Sequence, residues 1–224
     1  MIHVRTKIER PIPEIINEFS TLATATIHEA SGRKGYIDYG IKPINRGIRV
    51  CGPAFTVQCA PGDNCMLHKA LERALPGDVL VASVGGAYDY GYFGDLMATS
   101  AMARKLGGLC IDGCIRDSAE IIEAGFPVFA RGYAIRGTSK GTLGVINYPT
   151  VFGSYTVFPG DLIVGDDDGL VVVRLADCEE VLAKAKDRVA KETDKAAVLA
   201  SGVSSVEFNK LDAVFAAAGL VEED

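Results

Sequence analysis

The stretch PGDVLVASVGGAYDYGYFGDLMATSAMARKLGGLCIDGCIRDSAEIIEAGFPVFA, residues 76–130, decides the fold. It contains three apolar runs: VLVASV (79–84), GLCID (108–112) and the start of PVFARGYAI, which reads as one strand over 127–135. Each run is short and bounded by Gly or Pro, the pattern of a strand buried on both faces. Between the first two lies DLMATSAMARKLG (95–107), which reads as a helix stopped by Gly107 and Gly108. Between the second and third, Ser118 reads as the cap of a one- to two-turn helix, AEIIEAG. Strands that alternate with helices in this way build βαβ units on a parallel sheet.

Upstream, IRVCGPAFTVQCA (48–60) adds a strand, and PGDN (61–64) is a turn in which Asp63 or Asn64 caps a helix through about Leu75. Pro11 to about Leu22 reads as a short helix with Ile12, Ile15, Ile16 and Phe19 on one face, and TIHEASGRKG (26–35) as a Gly-rich loop. Downstream, residues 141–158 are Val- and Tyr-rich with Gly and Pro breaks, hence further β-structure. A hairpin over 159–173 turns at a solvated Asp166–Asp167–Asp168–Gly169. Asp177 caps a long charged helix to about Ala200, and a last helix covers roughly 206–218. Pro-Gly-Asp precedes a strand at 76 and again at 159, which fits either a faint internal repeat or shared turn chemistry. The expected architecture is a single mixed α/β domain over 1–224. A helical extension starts at about 177, and its long charged helix, 177–200, has few apolar neighbours of its own and suits docking on another subunit.

With 224 residues, 48% hydrophobic and 23% charged, the composition is that of an ordinary globular chain long enough to bury a core. A net charge of −6 argues against nucleic acid as a partner, since phosphate binding needs clustered Lys and Arg. No apolar run reaches the roughly 18 residues that span a bilayer. The opening MIHVRTKIERP is too charged for a signal peptide, so no membrane partner and a cytoplasmic location are expected. Cysteines 51, 59, 65, 110, 114 and 178 match no zinc ribbon and no C-x-x-C pair, and read as reduced thiols. No Gly-x-Gly and no Gly-Lys occurs, which removes the dinucleotide fingerprint and the P-loop. GTSKG (137–141) fits the nucleophile-elbow spacing, but β-rich sequence follows it and the last histidine, His68, lies upstream. The three histidines form no zinc motif, and the Asp run at 166–168 lacks the spaced ligands of an EF-hand.

Chemistry concentrates in residues 91–121. Gly91 and Gly94 feed a helix start at Asp95–Leu96–Met97, where unpaired N–H groups and the helix dipole suit a carboxylate. IDGCIRDSAE then presents Arg116 and Asp117 in a turn, with Glu120 one turn on. A guanidinium can grip an α-keto acid in planar, bidentate fashion, and a carboxylate can supply a hard oxygen to Mg²⁺ or Mn²⁺. Taken singly, each residue also has a plain structural explanation. Arg116–Asp117 suits an exposed ion-paired turn, Asp95 an N-cap, and Glu120 a first-turn acid offsetting the dipole.

Together, Asp95, twenty intervening residues, Arg116–Asp117, two more and Glu120 resemble the D-x20-R-D-x2-E/D signature of the class II pyruvate aldolases. These are the 4-hydroxy-4-methyl-2-oxoglutarate / 4-carboxy-4-hydroxy-2-oxoadipate aldolases. TIHEASGRKG, PGDNCMLHKAL, PGDVLVAS, GYFGDLMATS and PGDLIVGDDDGLVVV are similar to that family too, so the likeness covers nearly the whole chain. The related regulators of ribonuclease activity share the fold but lack the signature. One departure is IDGCIRD, where the family pattern leads us to expect Ala at 113 and Gly at 114; Gly113 and Cys114 stand there and keep the register of Arg116 and Asp117.

The resemblance implies a β/β/α swivelling-type fold and a site between subunits of ring-like trimers, paired into hexamers in some members. It implies that Asp117 binds Mg²⁺ or Mn²⁺, partly through waters, with Glu120 supporting the water shell. Asp95 would hold a metal-bound water that serves as acid and base. Arg116 would contact the substrate and stabilise charge on its oxygens. The backbone at Gly94, Asp95, Leu96 and Met97 would take the pyruvyl carboxylate. Lys140, in TSKGTLG, resembles a further active-site lysine. Glu192, in AKETDK, resembles a glutamate lent to the neighbouring subunit, although a solvated helix face explains it equally well. The implied reaction is retro-aldol cleavage of a 4-hydroxy-2-oxo acid to pyruvate, with oxaloacetate decarboxylation as a side activity. A ribonuclease-binding regulator and a dedicated oxaloacetate decarboxylase remain the alternatives.

Overall fold

The computed structural model describes residues 3–223. The described strands are β1 (His3–Val4), β2 (Lys42–Pro43), β3 (Val50–Gln58), β4 (Val79–Ser83), β5 (Gly108–Asp112), β6 (Cys114–Ile115), β7 (Val128–Ala130), β8 (Gly132–Tyr133), β9 (Val145–Ile146), β10 (Thr150–Phe152), β11 (Tyr155–Val157), β12 (Leu162–Asp166) and β13 (Gly169–Val173). The helices are α1 (Pro13–Phe19), α2 (Thr24–Ala30), α3 (Cys65–Arg73), α4 (Asp95–Ala103), α5 (Ser118–Ala124), α6 (Cys178–Ala200), α7 (Ser205–Asn209) and α8 (Asp212–Ala217).

The expected α/β class and its βαβ units are present. β3, β4, β5 and β7 run parallel side by side, with Phe55 opposite Leu80, Leu80 opposite Leu109, and Leu109 opposite Val128. β3 also pairs antiparallel with β12, Pro53 opposite Leu162, so the β12–β13 hairpin extends the same sheet. Because side chains alternate across a strand, β4 serves two cores. Leu80 and Ala82 pack under α3, α4 and α5, while Val79 and Val81 face Phe152 and Val157 of the β10–β11 hairpin. This is one sheet with helices on one face and a hairpin on the other. A third apolar cluster seats Phe19, Ile27, Val181 and Ala185 of α1, α2 and α6 on the outer face of β12–β13.

Five local expectations change. Residues 24–30 are helical (α2), with the Asp166 carboxylate accepting from Thr24 N at 2.9 Å, so the helix start and the Asp run are tied together. That turn is therefore a junction and not merely solvated: Asp167 also accepts from Gly47 N at 2.8 Å. The strand expected over 127–135 breaks at Arg131, whose guanidinium turns back to Asp112, so β7 and β8 lie in different sheets. Ser118 is the first residue of α5, and Asp117 is its cap. The last helix divides into α7 and α8 at Lys210, whose φ of +55° ends a helix. α6 runs as expected. Its first half is anchored by Val181 and Ala185, and Val189, Val198 and Leu199 on its second half are exposed.

Candidate active site

The site lies beyond the C-terminal ends of β4 and β5, where open α/β sheets place their ligands. Leaving β5, the chain forms β6, which pairs with β8 and bridges Gly91. Tyr92 N donates to Cys114 O at 3.0 Å, and Arg116 N donates to Phe93 O at 3.0 Å. The loop before α4 and the turn after β6 are thus fastened backbone to backbone. Tyr92 and Phe93 are fully buried anchors, and Tyr92 Oη accepts from Gly62 N and donates to Ala87 O.

Close approach requires the two glycines. A Cβ on Gly94 would stand 2.3 Å from Asp117 Oδ2, and one on Gly91 would stand 2.7 Å from Arg116 Cβ. Asp117 has φ +53°, a left-handed conformation that costs an L-residue roughly 1–2 kcal/mol and that Asp tolerates better than most. The arrangement turns its carboxylate toward the start of α4. Oδ2 lies 3.3 Å from Asp95 N and 3.4 Å from Arg116 Nε. Met97 N donates to Gly94 O at 3.0 Å, which leaves the Leu96 N–H unpaired among the described residues.

A cavity of about 240 Å³ opens here. Asp95, Arg116, Asp117 and Lys140 all line it, with Gly94, Leu96 and Met97. Gly137 and Thr138 line it too, and Arg116 Nη1 stands 3.7 Å from where a Cβ of Gly137 would sit. Two predicted residues stay outside. Glu120 is exposed on α5. Glu192 pairs with Arg188 at 2.7 Å on α6 and lines a separate surface groove with Glu29 and Lys195. Within one chain, neither joins the cavity.

Sequence reasoning missed two lining residues, Asn64 and His68. Asn64 is 5% exposed; its Nδ2 donates to Tyr92 O, while its Oδ1 has no partner among the described residues. An unsatisfied buried amide oxygen is costly, and Asn64 is one of the residues that line the cavity. Partial burial, and then the positive charge of Lys140, hold the His68 imidazole below its ordinary pKa. Both residues sit one helical turn apart at the start of α3, a spacing the PGDNCMLH stretch shows but which a cap reading absorbs.

Among the described residues no group of three or more His, Cys, Asp or Glu is gathered to hold a metal. Two carboxylates, Asp95 and Asp117, face the cavity. A larger hollow of about 390 Å³ lies between α2, β13 and α6, and two of the three cations that line it are already paired, Arg174 with Asp161 and Lys184 with Glu180.

The RraA-like family, described as aldolase/RraA, matches residues 24–172. The chain belongs to this family. It is 36% identical over 193 residues to a protein of Halalkalibacterium halodurans named "Putative 4-hydroxy-4-methyl-2-oxoglutarate aldolase", covering 86% of this chain and 92% of that one. A Burkholderia mallei protein of the same name is 31% identical over 157 residues, covering 69% and 94%. Among solved structures, a Pseudomonas syringae protein superposes with a TM-score of 0.80 at 29% identity, over 90% of this chain and 100% of that one. Streptomyces coelicolor RraAS2, described as an unusual member of the RNase ES inhibitor RraA family, gives 0.77 at 30%, over 85% and 99%. The RraA-like fold expected from sequence is therefore the fold found, and relatives of the chain carry the name "Putative 4-hydroxy-4-methyl-2-oxoglutarate aldolase". No described helix is long and apolar enough to cross a membrane.

Proposed function

We propose that the protein is a divalent-metal-dependent pyruvate aldolase. It would cleave a 4-hydroxy-2-oxo di- or tricarboxylic acid, such as 4-hydroxy-4-methyl-2-oxoglutarate or 4-carboxy-4-hydroxy-2-oxoadipate, and decarboxylate oxaloacetate as a side reaction. The observation that carries this is the convergence of Asp95, Arg116, Asp117 and Lys140 on one cavity beside a free helix-start N–H.

The donor set fits Mg²⁺ or Mn²⁺. Both take hard oxygens, and Mg²⁺ in particular is commonly held by one or two carboxylates while keeping waters and substrate in its remaining positions. Asp117 would hold the ion, with Asp95 beside it; Glu120 is left for a more distant role. The cation supplies Lewis acidity toward an α-keto acid as negative charge gathers on its C2 oxygen.

This chain's residues do the rest. The Leu96 N–H and the dipole of α4 receive the substrate's C1 carboxylate. Asp95 orients the water that takes the proton from the C4 hydroxyl. As the C3–C4 bond breaks, its electron pair moves toward C2 to give the enolate of pyruvate, and C4 becomes a carbonyl. Arg116 stabilises charge on the oxygens with two aligned N–H groups. The enolate then takes a proton at C3, delivered through the water at Asp95. Lys140 adds a positive charge to the cavity lining, which suits a substrate carrying two or three carboxylates.

The test is pyruvate release, coupled to lactate dehydrogenase, across candidate keto acids. Comparable kcat/KM for a hydroxy keto acid and oxaloacetate supports the aldolase; turnover of oxaloacetate alone reduces the reading to a decarboxylase. The likeness to RraAS2 keeps one further reading in play, a regulator that binds a ribonuclease through its surface. That reading requires no pyruvate from any of these acids.

A further inference from the structure

We propose that Asp63 is a positioning residue of this site: its buried carboxylate clamps the 139–142 loop onto the start of α3 and so fixes where Lys140 stands in the cavity. The proposal rests on the aldolase reading only in what Lys140 is positioned for.

Lys140 lies between β8 and β9, in a segment with no helix or strand of its own, and residues 140–143 are exposed. Such a loop is ordinarily mobile on its own. Asp63 is 1% exposed and faces it. Its Oδ2 accepts from Ser139 Oγ at 2.9 Å, Gly141 N at 2.7 Å and Thr142 N at 2.9 Å. Its Oδ1 accepts from Cys65 N at 2.8 Å, in the first turn of α3. Two backbone bonds complete the junction, Asn64 N to Ser139 O at 3.1 Å and Ser139 N to Gly62 O at 2.8 Å. The groups that donate to Asp63 Oδ2 thus bracket Lys140 on both sides, and its other oxygen accepts from the start of the helix that follows Asn64 and carries His68.

Four donors occupy the carboxylate. Burial works against its charge, but the N–H groups of Cys65, Gly141 and Thr142 and the Ser139 hydroxyl outweigh it and hold the pKa down at about 2. A group so engaged has no proton to exchange with substrate, so its role is to place its neighbours. An amide cannot replace it: Asn offers one oxygen and an NH₂ that would face an N–H.

The test uses the full chain and two readouts. In the coupled assay with Mg²⁺ and oxaloacetate, Asp63→Asn should lower kcat/KM about 10- to 100-fold. In a Lys140→Met background the same change should cost less than about two-fold, because the residue it places is gone. Independent, multiplicative losses overturn the proposal. The second readout needs no catalysis: NMR titration of the His68 imidazole, one of three in the chain. The His68 midpoint should rise in Asp63→Asn toward its value in Lys140→Met; an unchanged midpoint overturns the proposal even if activity falls. Asp95, Arg116 and Asp117 share the cavity with His68, and Glu72 and Arg104 line the adjoining groove, but neither substitution touches these charges; Asp63→Asn removes its own negative charge, which alone would lower the midpoint, so Ser139→Ala, which keeps that charge, must also raise it. Should Asp63→Asn fold poorly, Ser139→Ala removes one donor and should move His68 in the same direction by less. An inactive wild-type protein would overturn the aldolase reading and leave the titration to decide this one.

Discussion

Gly94→Ala separates the chemistry of this site from its stability. The backbone at Gly94 has φ −125° and ψ −177°, extended geometry that alanine adopts without strain. The obstacle is the new methyl, which would sit 2.3 Å from Asp117 Oδ2 and 3.3 Å from Arg116 Nε. A carbon–oxygen contact relaxes at about 3.3 Å, so the carboxylate must retreat by about 1 Å. Displacements of that size cost on the order of 100-fold in rate, about 2.7 kcal/mol of transition-state stabilisation. Asp117 is a part-exposed side-chain end and can rotate away, so stability should change by less than about 1 kcal/mol. The assay is lactate-dehydrogenase-coupled pyruvate release over a Mg²⁺ titration, with a urea melt in parallel. A fall in kcat/KM near 100-fold and weaker apparent Mg²⁺ affinity, at nearly unchanged urea midpoint, is expected. Full activity with unchanged Mg²⁺ dependence would refute the placement of Asp117 as metal ligand.

Further expectations follow from single contacts. Arg116→Lys should lower kcat by about 100-fold or more, since a point charge does not reproduce a planar fork; steady-state kinetics decide this. Leu80→Ala, at a fully buried position in β4, should cost about 2–5 kcal/mol in urea unfolding, with no specific effect on KM. The carboxyl of Asp63 is held down at about 2 against an ordinary 3.8, so its contribution to stability is complete above about pH 4 and is lost as pH falls toward 2. Urea midpoints measured from pH 5 to pH 2 should therefore fall less steeply in Asp63→Asn than in wild type. If self-association places α6 on a neighbour, sedimentation should show trimers or hexamers, and Glu192→Gln should lower kcat; a monomer with full Glu192→Gln activity would leave Glu192 on a solvated face.

The central sheet was legible because β4 and β5 are buried on both faces, and burial writes continuous apolar runs into VLVAS and GLCID. Helix α2 was not, because Gly32 and Gly35 follow it so closely that the segment reads as loop; Asp166, far along the chain, caps it. The break at Arg131 was equally hidden, since its cause is an ion pair with Asp112 on another strand. Within the site, Asp95, Arg116 and Asp117 share one stretch and were legible as a constellation, though each alone had a structural explanation. Lys140 came from family likeness alone; it lines the cavity, on a loop hydrogen-bonded to Asp63 just before α3. Asn64 and His68 were invisible as site residues because a turn asparagine and a lone histidine are ordinary in sequence. Only the packing of α3 beside the start of α4 brings them to the same wall.

The proposed cleavage depends on a divalent cation at Asp117, and metal removal tests it most directly. Protein treated with EDTA and freed of chelator should give no pyruvate from 4-hydroxy-4-methyl-2-oxoglutarate or oxaloacetate above the uncatalysed rate, and Mg²⁺ or Mn²⁺ should restore it. Pyruvate release that continues undiminished in excess EDTA would contradict the account.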